Sequence, residues 1–302
     1  MTDTVKPSLR IMICTKRDLA GALVLNHLMP HLAGDQVMVL LSDKTRPVEK
    51  AVPELAEMKF LERDLPMDTI FPLVDMANNA GAGRLATFNG IAARHGVPIK
   101  IITEINDPAS EAMVREFQPD LILSARFSLI FKRNIFQIPR FGTWNVHPGA
   151  LPRYAGLFAP FRCLVEGDDR IGCTLHRVDD GIDTGPVHGI GWLDVNPQRS
   201  LLWHVVNTYR PGLDLFATLL AGLRQGQQPS AQVQDRSQRV YGSLPDAHAF
   251  RMFWQRGFRL YDPKEYMELL NGFLPQEMSL AVDSLVQGAV EGVGAPCCCA
   301  RA

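Results

Sequence analysis

The sequence lacks the features that mark several broad classes of protein. Its formal net charge is −1 over 302 residues, so it has no broad basic field of the kind that attracts a phosphate backbone. No apolar run approaches the roughly 20 residues of a membrane-spanning helix, and residues 1–9 contain no apolar signal-peptide core. These absences predict a cytoplasmic protein with neither a nucleic-acid partner nor a membrane partner.

The motifs of several common enzyme classes are also missing. Residues 15–21 follow the first apolar run and read TKRDLAG, which is neither a GxGxxG fingerprint nor a P-loop. Nicotinamide-dependent dehydrogenases and nucleotide hydrolases of the common types are therefore disfavoured. The chain contains no GxSxG elbow of a serine hydrolase, no HExxH motif and no CxxC pair. We accordingly predict a function that requires no metal.

The six cysteines fall into two groups. Cys14, Cys163 and Cys173 stand singly within apolar patterns, which predicts buried, reduced thiols. Residues 297–299 are three consecutive cysteines near the C-terminus, with no histidine nearby. We interpret them as incidental members of a disordered tail, and a metal, redox or partner-linked role is the alternative.

Strand-like and helix-like segments alternate through the first half of the chain. Apolar runs of strand length predict five buried strands, at residues 9–15, 36–42, 97–103, 120–124 and 142–146. Helical patterns predict helices between them, from an N-cap at Asp18 to about residue 31 and at residues 83–95 and 107–117. This order predicts an α/β fold, a Rossmann-like and mostly parallel sheet with helices on both faces. Four prolines make residues 44–75 the least regular part.

The second half of the chain is less uniform. Two strand-like runs at residues 171–178 and 188–195 precede a long helix from about residue 201 to residue 222. A polar stretch then resembles a linker. We predict a catalytic domain at residues 1–224, a small C-terminal module at residues 225–275 and a flexible tail at residues 276–302.

Asn145 and His147 are the most informative residues. They lie where a predicted strand enters a loop rich in Pro and Gly, and side chains two apart on a strand share a face. Open α/β sheets bind ligands at such strand ends. Residues 172–186 supply carboxylates, one of which could orient the imidazole. An amide, an imidazole and a carboxylate suit acyl transfer through a tetrahedral intermediate.

Two stretches around these residues resemble a known family. NVHPGALPRYAG at residues 145–156, followed by TLHRVDDGIDTGP at residues 174–186, is similar to the signature of the folate-dependent formyltransferases. That family includes glycinamide ribonucleotide, methionyl-tRNA and amino-sugar formyltransferases. The resemblance is specific over residues 119–195. It implies that Asn145, His147 and Asp183 are catalytic and that 10-formyltetrahydrofolate is the formyl donor.

The same resemblance implies a folate pocket. Its expected contacts lie in two segments, one before the Asn/His strand and one before Asp183: Phe127, Ser128, Leu129, Ile130, Phe131, Val178, Asp180, Gly181 and Ile182. Arg153 and Tyr154 are candidates for contact with the acceptor, the alternative being an ordinary exposed loop.

Several residues leave alternatives open or depart from the family pattern. Asp179 and Asp180 are rival carboxylates to Asp183, and solvation with turn formation is the alternative for both. His176 is expected to be a packed or solvent-facing side chain rather than a catalyst. Arg126 stands where a small residue is common in the family, and Gly149 stands where a serine is usual.

The function expected from this reasoning is transfer of a formyl group from 10-formyltetrahydrofolate to the amine of a small-molecule acceptor. Amino-sugar nucleotides and amino-acid-type acceptors such as N-hydroxyornithine are the candidates. Hydrolysis of formyltetrahydrofolate and non-catalytic binding of folate or a metabolite are the alternatives. A homodimer is left open.

Overall fold

The computed structural model describes residues 8–77 and 83–293. Its strands are β1 (Arg10–Lys16), β2 (Gln36–Ser42), β3 (Ile99–Ile102), β4 (Leu121–Ala125), β5 (Thr143–His147), β6 (Ala155–Gly156), β7 (Arg170–Arg177), β8 (Val187–Asp194) and β9 (Tyr241–Gly242). Its α-helices are α1 (Leu19–Leu28), α2 (Val48–Ala51), α3 (Pro53–Lys59), α4 (Phe71–Met76), α5 (Phe88–His95), α6 (Pro108–Phe117), α7 (Arg133–Phe136), α8 (Ala159–Glu166), α9 (Leu201–Arg224), α10 (Ala247–Gln255), α11 (Pro263–Leu270) and α12 (Ser279–Val293).

Seven of these strands form one sheet in the order β3-β2-β1-β4-β5-β7-β8. The pairs among β1 to β5 are parallel, whereas β5 with β7 and β7 with β8 are antiparallel. A second, two-stranded sheet pairs β6 with β9. The prediction of a Rossmann-like, mostly parallel α/β sheet is confirmed.

The central strands are buried because helices cover both faces of the sheet. All five residues of β4 are buried, and the inner residues of β1 are fully buried. Such continuous apolar strands are typical of a parallel sheet covered on both sides. Asp18 caps α1 as predicted, since its carboxylate accepts a hydrogen bond from the Gly21 backbone at 2.8 Å.

The proline-rich stretch differs from its expectation. Residues 53–76 are helical almost throughout, with π-helical turns at Phe60–Asp64 and Pro66–Ile70 between α3 and α4. Pro53, Pro66 and Pro72 each stand in the first turn of their segment. Pro53 costs little there because its missing N–H has no helical partner to lose. Pro66 and Pro72 instead lie within the continuous run, at the start of a π-helical turn and just after it.

The part after α9 packs against the same core as the first half. Phe250, Phe253, Tyr266, Leu270 and Phe273 are buried within the main hydrophobic cluster. The expected tail contains α12, and residues 297–299 lie outside the described residues, so the interpretation of those cysteines stays a prediction. The boundaries at residues 224 and 275 likewise stay predictions.

Two remaining expectations concern cysteines and membranes. Cys14, Cys163 and Cys173 are buried free thiols, as predicted. Within residues 8–77 and 83–293, we find no helix with the length and apolarity needed to cross a bilayer.

Candidate active site

The carboxyl ends of the parallel strands open into a cavity of about 330 Å³. Side chains at the carboxyl ends of β1, β4 and β5 line it, among them Lys16, Arg126, Asn145 and His147. Helices cover the faces of a parallel sheet, so the strand ends are where its backbone can approach a ligand. The cavity therefore lies at the strand ends, as the sequence predicts.

Asn145 and His176 face each other across the antiparallel pair of β5 and β7. The register pairs these two residues, and Asn145 Nδ2 lies 3.1 Å from His176 Nε2. His176 Nδ1 lies 2.8 Å from the Arg177 carbonyl oxygen and so donates to it. His176 Nε2 is then an acceptor, and it takes one N–H of the Asn145 amide. The second N–H of that amide remains for a ligand.

His147 is fixed by the loop that follows its own strand. Its Nε2 lies 2.7 Å from the Tyr154 carbonyl oxygen, which can only accept, so this nitrogen carries the proton. Its Nδ1 lies 3.6 Å from Asp183 Oδ1. Burial lowers the pKa of His147, against the raising influence of Asp183. The ring is therefore a neutral imidazole whose free lone pair is on Nδ1.

Asp183 sits between the two imidazoles. Its Oδ1 is 3.6 Å from His147 and 3.7 Å from His176 Nε2, and its Oδ2 accepts a hydrogen bond from the Gly156 backbone at 2.8 Å. Burial opposes ionisation, yet His147, His176 and Gly156 together hold the pKa of Asp183 well below its usual range. Asp183 is thus a partly buried, ionised carboxylate with a left-handed φ of 55°, a conformation found at functional sites.

Gly149 has a packing role that explains the missing serine. A β-carbon built there would lie 2.6 Å from the Tyr154 carbonyl oxygen and 2.8 Å from His147 Nε2. The imidazole occupies the space that a side chain would need. In this chain the glycine is what allows His147 to reach Tyr154.

One end of the cavity is apolar. Eight of the nine predicted folate contacts line it: Phe127, Ser128, Leu129, Ile130, Phe131, Val178, Gly181 and Ile182. Asp180 does not, because its exposed carboxylate pairs with Arg133. Ile130 and Ile182 are 63% and 44% exposed, which is apolar surface that a bound ring would cover.

Another part of the cavity lining is charged. The guanidinium of Arg126 is almost buried and bridges Asp18 and Glu62, with Nε 3.0 Å from Asp18 Oδ2. Lys16 extends the cluster, with Nζ 4.0 Å from Asp18 Oδ2. The residue that departs from the family pattern is therefore the centre of an ion-pair network.

The two predicted acceptor contacts lie away from the cavity lining. Arg153 is exposed and pairs with Glu166, and the Tyr154 hydroxyl lies within hydrogen-bond distance of Glu166 Oε2 (2.7 Å) and Asp168 Oδ2 (2.5 Å), to one of which it donates. Tyr154 contributes to the site through its backbone, which holds His147. Asp179 accepts from Thr184 and from the Gly181 backbone, as a turn-forming carboxylate does.

Residues 90–200 match the family model described as formyl transferase. This part of the chain is similar to the formyl transferase family. The matched range contains Asn145, His147 and Asp183, the three side chains that surround the cavity.

Curated proteins that this chain resembles are methionyl-tRNA formyltransferases. The one from Dehalococcoides mccartyi is 28% identical over 165 residues, 55% of this chain and 52% of the relative. The one from Herpetosiphon aurantiacus is 30% identical over 180 residues, 57% of this chain and 58% of the relative. The chain thus spans about half the length of the curated relatives it matches.

These relatives contradict the expectation that nucleic acid has no place among the partners, because each is named for a tRNA. The composition argument was wrong because net charge measures only the average field of a chain. It does not describe the local groups that would hold one end of an acceptor.

Solved structures share the fold. An N-formyltransferase from Helicobacter canadensis, in complex with folinic acid and dTDP-3-aminofucose, has a TM-score of 0.51 at 20% identity and covers 78% of this chain and 71% of its own. A phosphoribosylglycinamide formyltransferase from Anaplasma phagocytophilum has a TM-score of 0.52 at 16% identity, covering 78% of this chain and all of its own.

Proposed function

We propose that this chain transfers a formyl group from 10-formyltetrahydrofolate to an amine, with Asn145, His147 and Asp183 as the catalytic residues. The observation that carries the proposal is the convergence of these residues on one cavity. His147 Nδ1 lies 3.6 Å from Asp183 Oδ1, and the same oxygen lies 3.7 Å from Nε2 of His176, which accepts a hydrogen bond from Asn145. The matched family model and the folinic acid named in the Helicobacter canadensis complex support the same chemistry.

The apolar end is the proposed folate site. The Phe127 and Phe131 rings stack with centroids 5.2 Å apart, and Val178 and Ile182 line the same cavity. Ile130 and Ile182 expose apolar surface at its rim. This apolar lining suits a flat heterocycle, which residues of both segments would contact.

The reaction places charge where this site has complementary groups. The amine nitrogen of the acceptor attacks the formyl carbon, and the carbonyl oxygen becomes negative. The unused N–H of Asn145 donates to that oxygen, and one such donor stabilises the transition state by roughly 3 kcal/mol. The bond from the formyl carbon to N10 then breaks. The formylated amine and tetrahydrofolate are the products.

The proton balance falls to His147. The attacking amine loses one proton, which Nδ1 accepts because Nε2 is already committed to Tyr154. Asp183 stabilises the resulting imidazolium, and the same proton passes to N10 as it leaves. His147 therefore ends the cycle neutral.

The test is a panel of amines with purified protein and 10-formyltetrahydrofolate, followed by product mass and release of tetrahydrofolate. The panel contains methionyl-tRNA, a dTDP-amino sugar, glycinamide ribonucleotide, L-ornithine and N5-hydroxyornithine. Tetrahydrofolate released without any amine would indicate a hydrolase. Binding without turnover on the whole panel would indicate a binding protein, and either result contradicts the proposal.

Three variants assign the residues. Asn145→Ala, His147→Ala and Asp183→Ala should each lower kcat by about 100-fold or more, with unchanged circular dichroism. His27→Ala is the matched control. It also removes a histidine that contacts an aspartate, with Nε2 2.8 Å from Asp214 Oδ1, but neither residue lines the cavity. Near-normal turnover in a folded His147→Ala protein would contradict the proposed role of His147 in proton transfer.

A further inference from the structure

A segment that follows α9 crosses the turn that carries Asp183. We call residues 232–242 the strap. At its start, the backbones of Gln232 and Val187 exchange two hydrogen bonds, of 2.7 and 2.8 Å, where β8 begins. At its end, β9 pairs with β6. The strap is therefore fixed at both ends, and it lies outside residues 90–200, which match the family model.

The side chain of Gln234 extends from the strap into this turn. It is only 8% exposed. Its Nε2 lies 3.1 Å from the Asp183 carbonyl oxygen and 2.6 Å from the Gly185 carbonyl oxygen. A carbonyl oxygen can only accept, so the amide nitrogen must face the turn and both of its N–H groups are donors.

The other atom of this amide has no comparable contact. Gln234 Oε1 is buried and has no hydrogen-bond partner within residues 8–77 and 83–293. A buried acceptor without a partner is costly. The amide is therefore held in place by its nitrogen, through the two carbonyls of the turn.

Arg239 adds a third hydrogen bond from the strap to the same turn. Its Nη2 donates to the Ile182 carbonyl oxygen at 3.0 Å. The strap thus binds the carbonyl oxygens of Ile182, Asp183 and Gly185, three of the four residues at positions 182–185.

The turn needs this support because of its backbone conformation. Asp183 has a φ of 55°, in the left-handed region that a β-carbon disfavours. Such a conformation persists only where the surrounding structure holds it. The Gly156 backbone holds the carboxylate of Asp183 at Oδ2, whereas Gln234 holds the backbone from which that carboxylate extends.

We propose that Gln234 is a positioning residue for Asp183. Its amide keeps the turn in the left-handed conformation, so that the carboxylate stays between His147 and His176. The assignment rests on the proposed formyl transfer, in which Asp183 stabilises the imidazolium of His147. A segment beyond the matched range of the chain thereby completes the site.

The charges around His147 provide a readout of the Asp183 position. Asp183 raises the pKa of His147, whereas His176 and Arg162 lower it. When the turn relaxes, the carboxylate moves away from the ring and its raising influence weakens. Loss of the Gln234 donors should therefore lower the pKa of His147, a change that a general loss of stability would not produce.

The experiment uses Gln234→Leu in the full-length protein, because leucine keeps most of the side-chain volume and removes both donors. We expect kcat to fall about tenfold or more and the acid limb of kcat/KM to move to lower pH. An NMR titration of the His147 ring protons, without any substrate, should give a lower pKa than in the wild type. Gln238→Leu is the matched control, since that exposed glutamine of the strap bonds Asp235 at 3.2 Å and does not line the cavity.

A double variant tests whether Gln234 acts through Asp183. Once Asp183→Ala has removed the carboxylate, Gln234→Leu should change kcat by no more than about twofold, measured in single turnover. If Gln234→Leu does not fold, Gln234→Asn provides the same comparisons. Its amide is one methylene shorter and cannot reach both carbonyls of the turn.

Two results would overturn the assignment. One is a further tenfold loss of kcat when Gln234→Leu is added to Asp183→Ala, and the other is an unchanged pKa of His147 in a folded Gln234→Leu protein. Failure of the proposed formyl transfer is a separate outcome, because the wild type would then formylate no amine. The NMR titration needs no turnover, so it would still report whether Gln234 holds Asp183 beside His147.

Discussion

The amide nitrogen of Asn145 lies 3.1 Å from Nε2 of His176, and this contact determines which end of the carboxamide faces the reaction. His176 can accept at Nε2 because its Nδ1 donates to the Arg177 carbonyl. Without that acceptor the Asn145 amide is free to turn its oxygen toward the cavity. A carbonyl oxygen there would repel the developing oxyanion.

His176 is therefore predicted to be a positioning residue for Asn145. His176→Ala should lower kcat by about 10- to 100-fold, less than removal of the Asn145 donor itself, with little change in KM for the folate. His188→Ala is the matched control, because His188 also bonds a backbone carbonyl through Nδ1, at 2.7 Å from Ser230, but does not line the cavity. Stopped-flow single turnover measures the chemical step, and a His176→Ala rate equal to the control would refute the role.

The contrast between Asn145 and His176 shows what could be predicted from sequence. Asn145 and His147 could be predicted because a local pattern, a strand running into a Pro/Gly loop, places them at a ligand-binding edge of the sheet. The position of His176 depends on the register between β5 and β7, 31 residues apart in the chain. Local periodicity carries no information about such a pairing, so the sequence predicted a packed or solvent-facing His176 without its contact to Asn145.

Other contacts in the site could not be predicted from the sequence for similar reasons. Gly156 meets Asp183 because β6 pairs with β9, a strand from the region after α9. Glu62 reaches Arg126 from a π-helical turn within a stretch whose prolines suggested irregular structure. The sheet, by contrast, followed from its continuous apolar strands, since burial on both faces leaves a signal in each strand alone.

Gly149 is predicted to be required for the position of His147. In Gly149→Ala the β-carbon would meet His147 Nε2 at 2.8 Å and Tyr154 O at 2.6 Å, closer than a carbon can approach either atom. The ring should shift and break its bond to Tyr154, so kcat should fall about tenfold or more. Gly288→Ala is the control, because a β-carbon there meets nothing within 4 Å. Turnover of Gly149→Ala within twofold of the control, about 0.4 kcal/mol, would contradict this reading.

The pH dependence should report the neutral form of His147. Burial lowers the pKa of His147 below its ordinary value of 6.5, so the proton-accepting form persists as pH falls below that value. The acid limb of kcat/KM should lie below pH 6.5. Asp183 raises this pKa, so in Asp183→Asn the acid limb of the residual activity should move further toward low pH. A limb that moves upward in Asp183→Asn would show that the titrating group is not His147.

Gly156 is predicted to support both stability and the carboxylate of Asp183. Its φ is 89°, and a β-carbon would lie 2.2 Å from the Gly242 carbonyl oxygen, so Gly156→Ala must separate β6 from β9. Gly34→Ala is a matched control, with φ of 91° and nothing within 4 Å of the β-carbon. The control should lose about 1–2 kcal/mol of stability from backbone strain alone.

Gly156→Ala should lose more than the control in the free energy of unfolding, measured by denaturant titration. It should also lower kcat, because the Gly156 N–H no longer holds Asp183 Oδ2. Equal stability losses in the two variants, with turnover intact, would mean that the pairing of β6 with β9 does not hold Asp183 in position.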